Sequence, residues 1–434
     1  MEDKRKTRKW RRLDNSAKIF PIISNKRFSS VFRLSVVLKE EIKPDLLKQA
    51  VENTIARYDS FKVKLKKGFF WYYFEFNPKN IIIEEEKNYP CKYIDKNTNN
   101  DYLFKVTYFK NKINIDIFHS LTDGNTASYF FREIVYDYIE LSHTSQKFTS
   151  RGNKEIVENN TEDSYLKNYD KHAKSNASSK KAYVLKGSPI PLYGIGVIHE
   201  IIDLKQLKQL CKEKNVTVTQ YLTAVLIYAI YEGNYKANKS KSKKPIKVCI
   251  PVNLKKYFPS NTLANFFSYI TLEAETTSGK LEKFDLILDF VKQGFTEKLT
   301  EQEIIKTMSA NVKLGNNILI RMIPLIMKQV TVKMSYIEIR KYTTTTFSNI
   351  GRVGILPEYK QYIEEFLFLI APEPVEKIKC SSISYENKMI FTFTSSLDDL
   401  KIQNAFYQYL IKQGIDVKIE SNGVYDTLSE NFKS

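Results

Sequence analysis

Residues 118–124 read Phe118-His119-Ser120-Leu121-Thr122-Asp123-Gly124, and the way the chain enters and leaves this stretch decides the reading of the fold. Before it, Ile113, Ile115, Ile117 and His119 recur at period two, so the imidazole is expected on the isoleucine face of a strand, and that face is expected to be interior. Residues 102–109 form a second strand-like run, joined to the first through Lys110-Asn111-Lys112 as a hairpin. After the histidine, Asp123, Gly124 and Asn125 stop the strand and offer cap chemistry for residues 126–140. There Phe130, Ile134 and Tyr138, with Phe131 and Val135, recur at helical spacing. A lone histidine in such a place is ordinarily a satisfied core side chain. The chain has only four, however, and this one is followed at fixed offsets by Asp and Gly.

The 434 residues, 42% of them hydrophobic, are enough for large cores, and the length argues for two lobes. Cys91, Cys211, Cys249 and Cys380 are scattered without paired spacing, which argues against a disulfide framework and against a zinc site and points to a reducing, cytoplasmic setting. The first twelve residues carry Lys4, Arg5, Lys6, Arg8, Lys9, Arg11 and Arg12 with no apolar run behind them, so no signal peptide is expected. The apolar stretch 318–327 is interrupted by Arg321 and is too short to span a bilayer. A net charge of +19 implies attraction to anions: nucleic acid, an acidic membrane surface reached through the basic N-terminus, or a multiply phosphorylated small molecule. Nucleic acid ranks low, because no zinc finger, RNP-like run or basic helix with interleaved aromatics is present.

Along the chain, residues 31–38 read as a strand, and Pro44 starts a helix whose Leu47, Val51, Ile55 and Tyr58 share a face. Strands are expected at 61–65, 69–76 and 81–85. Residues 142–179 turn to Ser, Lys, Asn and Glu without apolar periodicity, the composition of an exposed crossover. Beyond it, Asp203 and Thr219 can cap helices, and strands follow at 247–252 and 266–273. Helical or apolar runs at 281–295 and 318–330 lead to a threonine-rich strand, 342–348. The end reads as strands 382–385 and 389–394, a helix 398–412 stopped by Gly414, and a strand 415–419. Interspersed helices and hairpin-paired strands indicate an α+β fold with mixed sheets.

The familiar hydrolase, NTPase, dinucleotide and zincin motifs are absent, which leaves the histidine. The pattern His-x-x-x-Asp-Gly resembles the active-site signature of the CoA-dependent acyltransferase superfamily, which includes chloramphenicol acetyltransferase, plant acyltransferases, peptide-synthetase condensation domains and alcohol acetyltransferases. Further resemblances run in order along the chain. Residues 13–21, to which spacing alone assigns no chemistry, are similar to the opening of bacterial alcohol acetyltransferases. Residues 57–65 resemble the condensation-domain pattern Arg-His-Glu-x-Leu-Arg-Thr-x-Phe, with Arg57 on its first arginine and Lys62 on its second; a basic helix end complementing the macrodipole explains them equally well. Pro251-Val252-Asn253-Leu254-Lys255-Lys256, then Asn265-Phe266-Phe267, is similar to a strand-loop segment in which Lys255 replaces Arg and Ala264 replaces Gly. Residues 343–351 resemble the Ser-Asn-x-Gly segment of alcohol acetyltransferases. No Asp-Phe-Gly-Trp-Gly segment appears, which counts against a plant-type member.

The resemblance implies two chloramphenicol-acetyltransferase-like lobes, residues 1–180 with a crossover from about 142 and residues 181–434, each a mixed sheet with flanking helices, with an active-site tunnel between them. It implies transfer of an acyl group, acetyl above all, from CoA as co-substrate to an alcohol, with no resident cofactor and no metal. The implied site is His119, Asp123, Gly124 and Ser348, supported by Arg57 and Asn349. His119 is the general base, and Ser348, with Thr346 and Asn349 behind it, is the donor facing the substrate carbonyl. Asp123 is expected to anchor the loop by pairing with Arg57, the alternatives being Lys62 and Arg33, and Gly124 to serve a backbone conformation that a side chain would obstruct. Lys241, Lys243 and Lys244, in the lysine-rich loop 236–247, are candidates for the CoA phosphates, although a solvated surface loop explains them too. A condensation-like enzyme taking its acyl group from a carrier protein and using an amine, and a non-catalytic scaffold of the same fold, are the alternatives.

Overall fold

The alternation of isoleucines at 113, 115 and 117 does build a strand, and its hairpin with the preceding run turns tightly through Lys110, which takes a positive φ of 51°. The computed structural model describes residues 10–151, 160–173, 180–191 and 194–426. The first part runs β1 (Trp10–Arg12), α1 (Phe20–Ile23), β2 (Val31–Leu38), α2 (Pro44–Arg57), β3 (Val63–Lys67), β4 (Tyr72–Phe76), β5 (Ile83–Glu85), β6 (Phe104–Phe109), β7 (Lys112–Phe118) and α3 (Gly124–Ser142), with α4 (Ser164–Asn168) in the crossover. The second runs β8 (Gly196–Asp203), α5 (Leu204–Glu213), α6 (Val218–Ile230), β9 (Ile246–Asn253), β10 (Phe267–Ala274), α7 (Phe284–Lys298), α8 (Glu301–Asn316), α9 (Ile318–Met322), α10 (Leu325–Ile339), β11 (Thr345–Arg352), β12 (Ile363–Ile370), β13 (Ile378–Tyr385), β14 (Lys388–Ser395), α11 (Lys401–Lys412) and β15 (Val417–Ser421).

Two mixed sheets carry the molecule, in the orders β12-β2-β7-β6-β5 and β10-β9-β11-β13-β14-β8-β15, with a small sheet β1-β4-β3 beside them. Each large sheet has its own apolar core. Ile113, Ile115 and Ile117 meet Val51, Ile55, Phe130 and Ile134 of α2 and α3 in the first, and Leu222, Val225 and Leu226 of α6 meet Phe391 and Phe406 in the second.

The sheets do not follow a division at residue 181. β12, unread in the sequence, lies antiparallel to β2 with Ile370 opposite Phe32, so the second half of the chain supplies the edge of the first sheet. The hydroxyls of Ser381 and Thr394 donate to the carbonyls of Phe368 and Ile370 and tie that strand back to the second sheet. The crossover also departs from a merely exposed linker. Within it, segment 160–173 buries Tyr165, whose hydroxyl accepts from the amide of Phe267 and donates to its carbonyl. The cap of α6 is Thr217 rather than Thr219, in a reciprocal capping box with Gln220. Pro324 breaks the apolar run 318–330 into α9 and α10.

Arg57 closes α2 but does not meet Asp123. Its guanidinium lies 2.7 Å from Asp137 and 3.8 Å from Glu133, both on α3. Asp137, almost fully buried, also accepts from Thr54 and from Arg151 at 2.8 Å. Burial opposes its ionisation, but the Arg57 hydrogen bond and the Arg151 charge outweigh that and hold its pKa below the ordinary 3.8. Lys62 lies over the Phe76 ring, and Arg33 pairs with Asp116 and Glu86, so neither alternative partner reaches Asp123 either. Removing one member of such a buried cluster strands the others. Asp137→Ala is therefore expected to cost about 3–5 kcal/mol in chemical denaturation. A depressed carboxylate pKa stabilises above the unfolded value, so the loss relative to wild type should shrink as pH falls below 3.8.

Candidate active site

β7 delivers His119 one residue past its end, where the histidine amide donates to the Ser30 carbonyl at 2.9 Å and extends the β2–β7 ladder. The imidazole stacks on Phe20 with centroids 4.6 Å apart and meets the edge of Phe32 and the tilted ring of Phe267. Its Nδ1 lies 3.2 Å from Asn265 Oδ1. The Asn265 amide is itself oriented, because its side-chain Nδ2 and its backbone N–H both donate to Asp14 Oδ2, at 3.1 and 3.2 Å. Asp14 Oδ1 accepts from the Ala17 amide at 2.8 Å. A carboxylate can only accept, so the Asn265 nitrogen must face Asp14 and its oxygen must face the histidine. Nδ1 is then the protonated nitrogen. Nε2 keeps its lone pair and has no hydrogen-bond partner among the described residues.

Burial, the largest influence on His119, pulls its pKa below the ordinary 6.5 and favours the neutral ring, with Asp123 and the Asn265 hydrogen bond acting the other way. Burial likewise pushes the Asp14 carboxyl up to about 6, against the hydrogen bonds it accepts. Above that pH Asp14 is a carboxylate and the orientation of Asn265 is fixed.

Asp123 caps α3 by accepting from the Thr126 amide at 2.9 Å, and its other oxygen accepts from the Phe266 amide at 3.0 Å. It ties the histidine turn to the start of β10 instead of to an arginine. The nearby cation is Lys255, whose ammonium donates to Thr126 Oγ1 and to the Thr262 carbonyl. Thr122 adds a bond to the Leu263 carbonyl. Segment 253–266 is thus laced to the histidine turn at four places. Gly124 is the first residue of α3 and has no positive φ. A Cβ there would meet Ile350 at an ordinary 3.5 Å, so its backbone does not require glycine; a side chain would instead stand in the cavity that Gly124 lines.

That cavity, about 560 Å³, opens on His119 between the two large sheets. Phe32 and Phe368 line it from the first, and Thr346, Ser348 and Asn349 of β11 from the second. The Ser348 hydroxyl has no protein partner among the described residues. Thr346 is engaged with Glu376, and Asn349 donates to Thr219 and accepts from the Gly351 amide, which fixes the strand beside Ser348. Glu373 and Lys379, paired with each other, add a charged wall that the sequence reading missed; burial lowers the Lys379 ammonium to about 8. Lys241, Lys243 and Lys244 are exposed and do not line the cavity, so any pull on CoA phosphates would act from the surface. Lys236 pairs with Glu232, and Lys247 is a buried β9 residue paired with Glu273. Arg57 supports α2 and α3 rather than the histidine turn.

Residues 194–405 match the model of the alcohol acetyltransferase family, a span that includes Asn265 and Ser348 and begins after His119. No curated protein matches the chain by sequence. Among solved structures it is similar to F. graminearum TRI101 complexed with coenzyme A and deoxynivalenol (10% identity, 91% of this chain and 96% of that one, TM-score 0.61). It is also similar to the TRI3 trichothecene 15-O-acetyltransferase of Fusarium sporotrichioides (11% identity, 93% and 94%, TM-score 0.59). A third likeness is to a mutant starter condensation domain of rhizomide synthetase RzmA in complex with C8-CoA and Leu-SNAC (11% identity, 89% and 89%, TM-score 0.53). The fold is that of the CoA-dependent acyltransferases and condensation domains, two-lobed with mixed sheets and helices. No helix among the described residues is long and apolar enough to cross a membrane.

Two substitutions separate the roles of these contacts. Asn265→Ala frees the ring to turn, and any reaction that uses the positioned imidazole should slow by up to about 100-fold, the loss that a misplacement of about 1 Å can cause. Asp123→Ala should lower stability by about 1 kcal/mol for the lost cap and by about 1–3 kcal/mol more for the orphaned Phe266 amide, measured as a shift in the denaturation midpoint.

Proposed function

We propose, for a chain with the fold of the CoA-dependent acyltransferases and a match to the alcohol acetyltransferase family, that it moves an acyl group from an acyl-CoA, acetyl-CoA above all, to an alcohol hydroxyl. The observation that carries this reading is the geometry of His119, held through Nδ1 by Asn265 so that its Nε2 lone pair is left for the cavity. In the proposed reaction Nε2 takes the acceptor's hydroxyl proton as the oxygen attacks the thioester carbonyl carbon. The new C–O bond leaves a tetrahedral oxyanion, and Ser348 donates its hydroxyl to it, a contribution of about 3–4 kcal/mol for a well-placed donor. Collapse restores the carbonyl, breaks the C–S bond and expels the CoA thiolate, which receives the proton from Nε2. Asp14 takes no proton in this cycle; it keeps the amide, and through it the ring, in one orientation.

The condensation-domain likeness supports a second reading, in which the acyl group arrives on a carrier protein and the acceptor is an amine. Incubating the protein with acetyl-CoA and parallel panels of alcohols and amines, while following free thiol, separates the two. Thiol release with alcohols and without a carrier supports the first.

His119→Ala is expected to cut acyl transfer by about 100-fold or more while the fold survives. The pH dependence has a definite sign. A base is active when neutral, and burial lowers the His119 pKa, so the acid limb of kcat/KM should lie below the ordinary 6.5. Asn265→Ala removes a hydrogen bond that favours the protonated ring and should move the limb lower still. An acid limb at about pH 7 or above would contradict His119 as the base.

A further inference from the structure

α10 wears its apolar side outward. Ile326, Val330, Met334 and Ile337 recur at helical spacing on one stripe and are each more than half exposed, Ile326 at 69% and Met334 at 68%, while Leu325 and Lys328 point inward and are buried. The stripe continues onto the β3–β4 turn, where the Phe69 carbonyl accepts from the Leu325 amide, and Phe69 itself is 72% exposed. An amphipathic helix ordinarily buries such a stripe, and a contiguous apolar patch left on the surface marks an interaction site.

The charges around the patch identify the occupant. Lys66, Lys67, Arg321 and Lys333 are exposed, and none pairs with a carboxylate among the described residues. Residues 62–72 contain no acid, and the single acid of residues 318–341, Glu338, is engaged by Lys181 and Lys341. In a two-fold contact with a second copy this one-signed rim would face itself, and the repulsion would oppose closure. An anionic bilayer instead offers negative charge to the rim and hydrocarbon to the stripe, the pairing that seats amphipathic helices at lipid interfaces. We propose that α10 and the β3–β4 turn form a docking surface for an anionic membrane. Tyr336, on the same helix, lines the cavity, so docking brings a wall of the site to the lipid.

The test is cosedimentation of the full chain with vesicles of phosphatidylcholine alone and of phosphatidylcholine with phosphatidylserine, about three to one by mole. Three proteins are compared: wild type, Phe69→Ser/Ile326→Ser/Met334→Ser, and Arg321→Gln/Lys333→Gln. The substituted residues are exposed, and unchanged elution and melting verify that each variant folds. The expected result is binding to the anionic vesicles only, weakened by salt, at least tenfold weaker in the apolar variant and several-fold weaker in the charge variant. Equal binding by wild type and the apolar variant would assign attachment to the basic N-terminus or to net charge alone and overturn the proposal. So would absence of binding by wild type, or concentration-dependent self-association that the apolar variant abolishes without any effect on vesicle binding.

Discussion

The hydrogen-bonded series Asp14–Asn265–His119 is the constraint on which the site depends. Three segments distant in the chain meet in it, and each link has a direction that chemistry imposes: an acceptor-only carboxylate turns an amide, and the amide oxygen selects the imidazole tautomer. Burying Asp14 is costly, as its raised pKa records, and three N–H bonds offset that cost. What results is a histidine whose free nitrogen is determined by the fold. Phe20, Phe32 and Phe267 hold the ring by packing, and the burial they contribute favours its neutral form.

What was legible in the sequence was local. The isoleucine alternation, the hairpin and the cap at Asp123 each rest on neighbours within a few residues, and each formed as its pattern required. The Asn265-Phe266-Phe267 segment was visible as a motif, but the function of Asn265 was not, because its two partners lie 146 and 251 residues away. Asp14 carried no periodic or spacing signal at all. The expected Asp123–Arg57 pair failed on distance: Arg57 is held by Asp137, which lies 14 residues along α3 from the cap, or about 21 Å at 1.5 Å per residue. A family pattern can identify a conspicuous arginine without saying which carboxylate of a nearby helix it meets.

β12 escaped the reading for a related reason. Its Ile363-Glu364-Glu365-Phe366 start lacks clean alternation, and Glu365 is a buried acid near Lys388 that only the assembled sheets can accommodate. Its position matters for function because it sits beside β2 and contributes Phe368 to the cavity wall.

The histidine follows a strand of one sheet, while Asn265 leads into β10 and Ser348 lies on β11 of the other, so the arrangement of the three depends on how the sheets are joined. Four ties lace segment 253–266 to the histidine turn, and the Ser381 and Thr394 hydroxyls fasten β12 beneath the cavity. These bonds are directional and at least partly buried, so a shift of about 1 Å between the sheets would break several of them at once. For the base proposed at His119, a shift of that size is also enough to lose most of the benefit of positioning. In the proposed reaction, stability of the junction and competence of the site are therefore coupled, and a substitution that loosens the sheet contact would slow transfer without touching substrate.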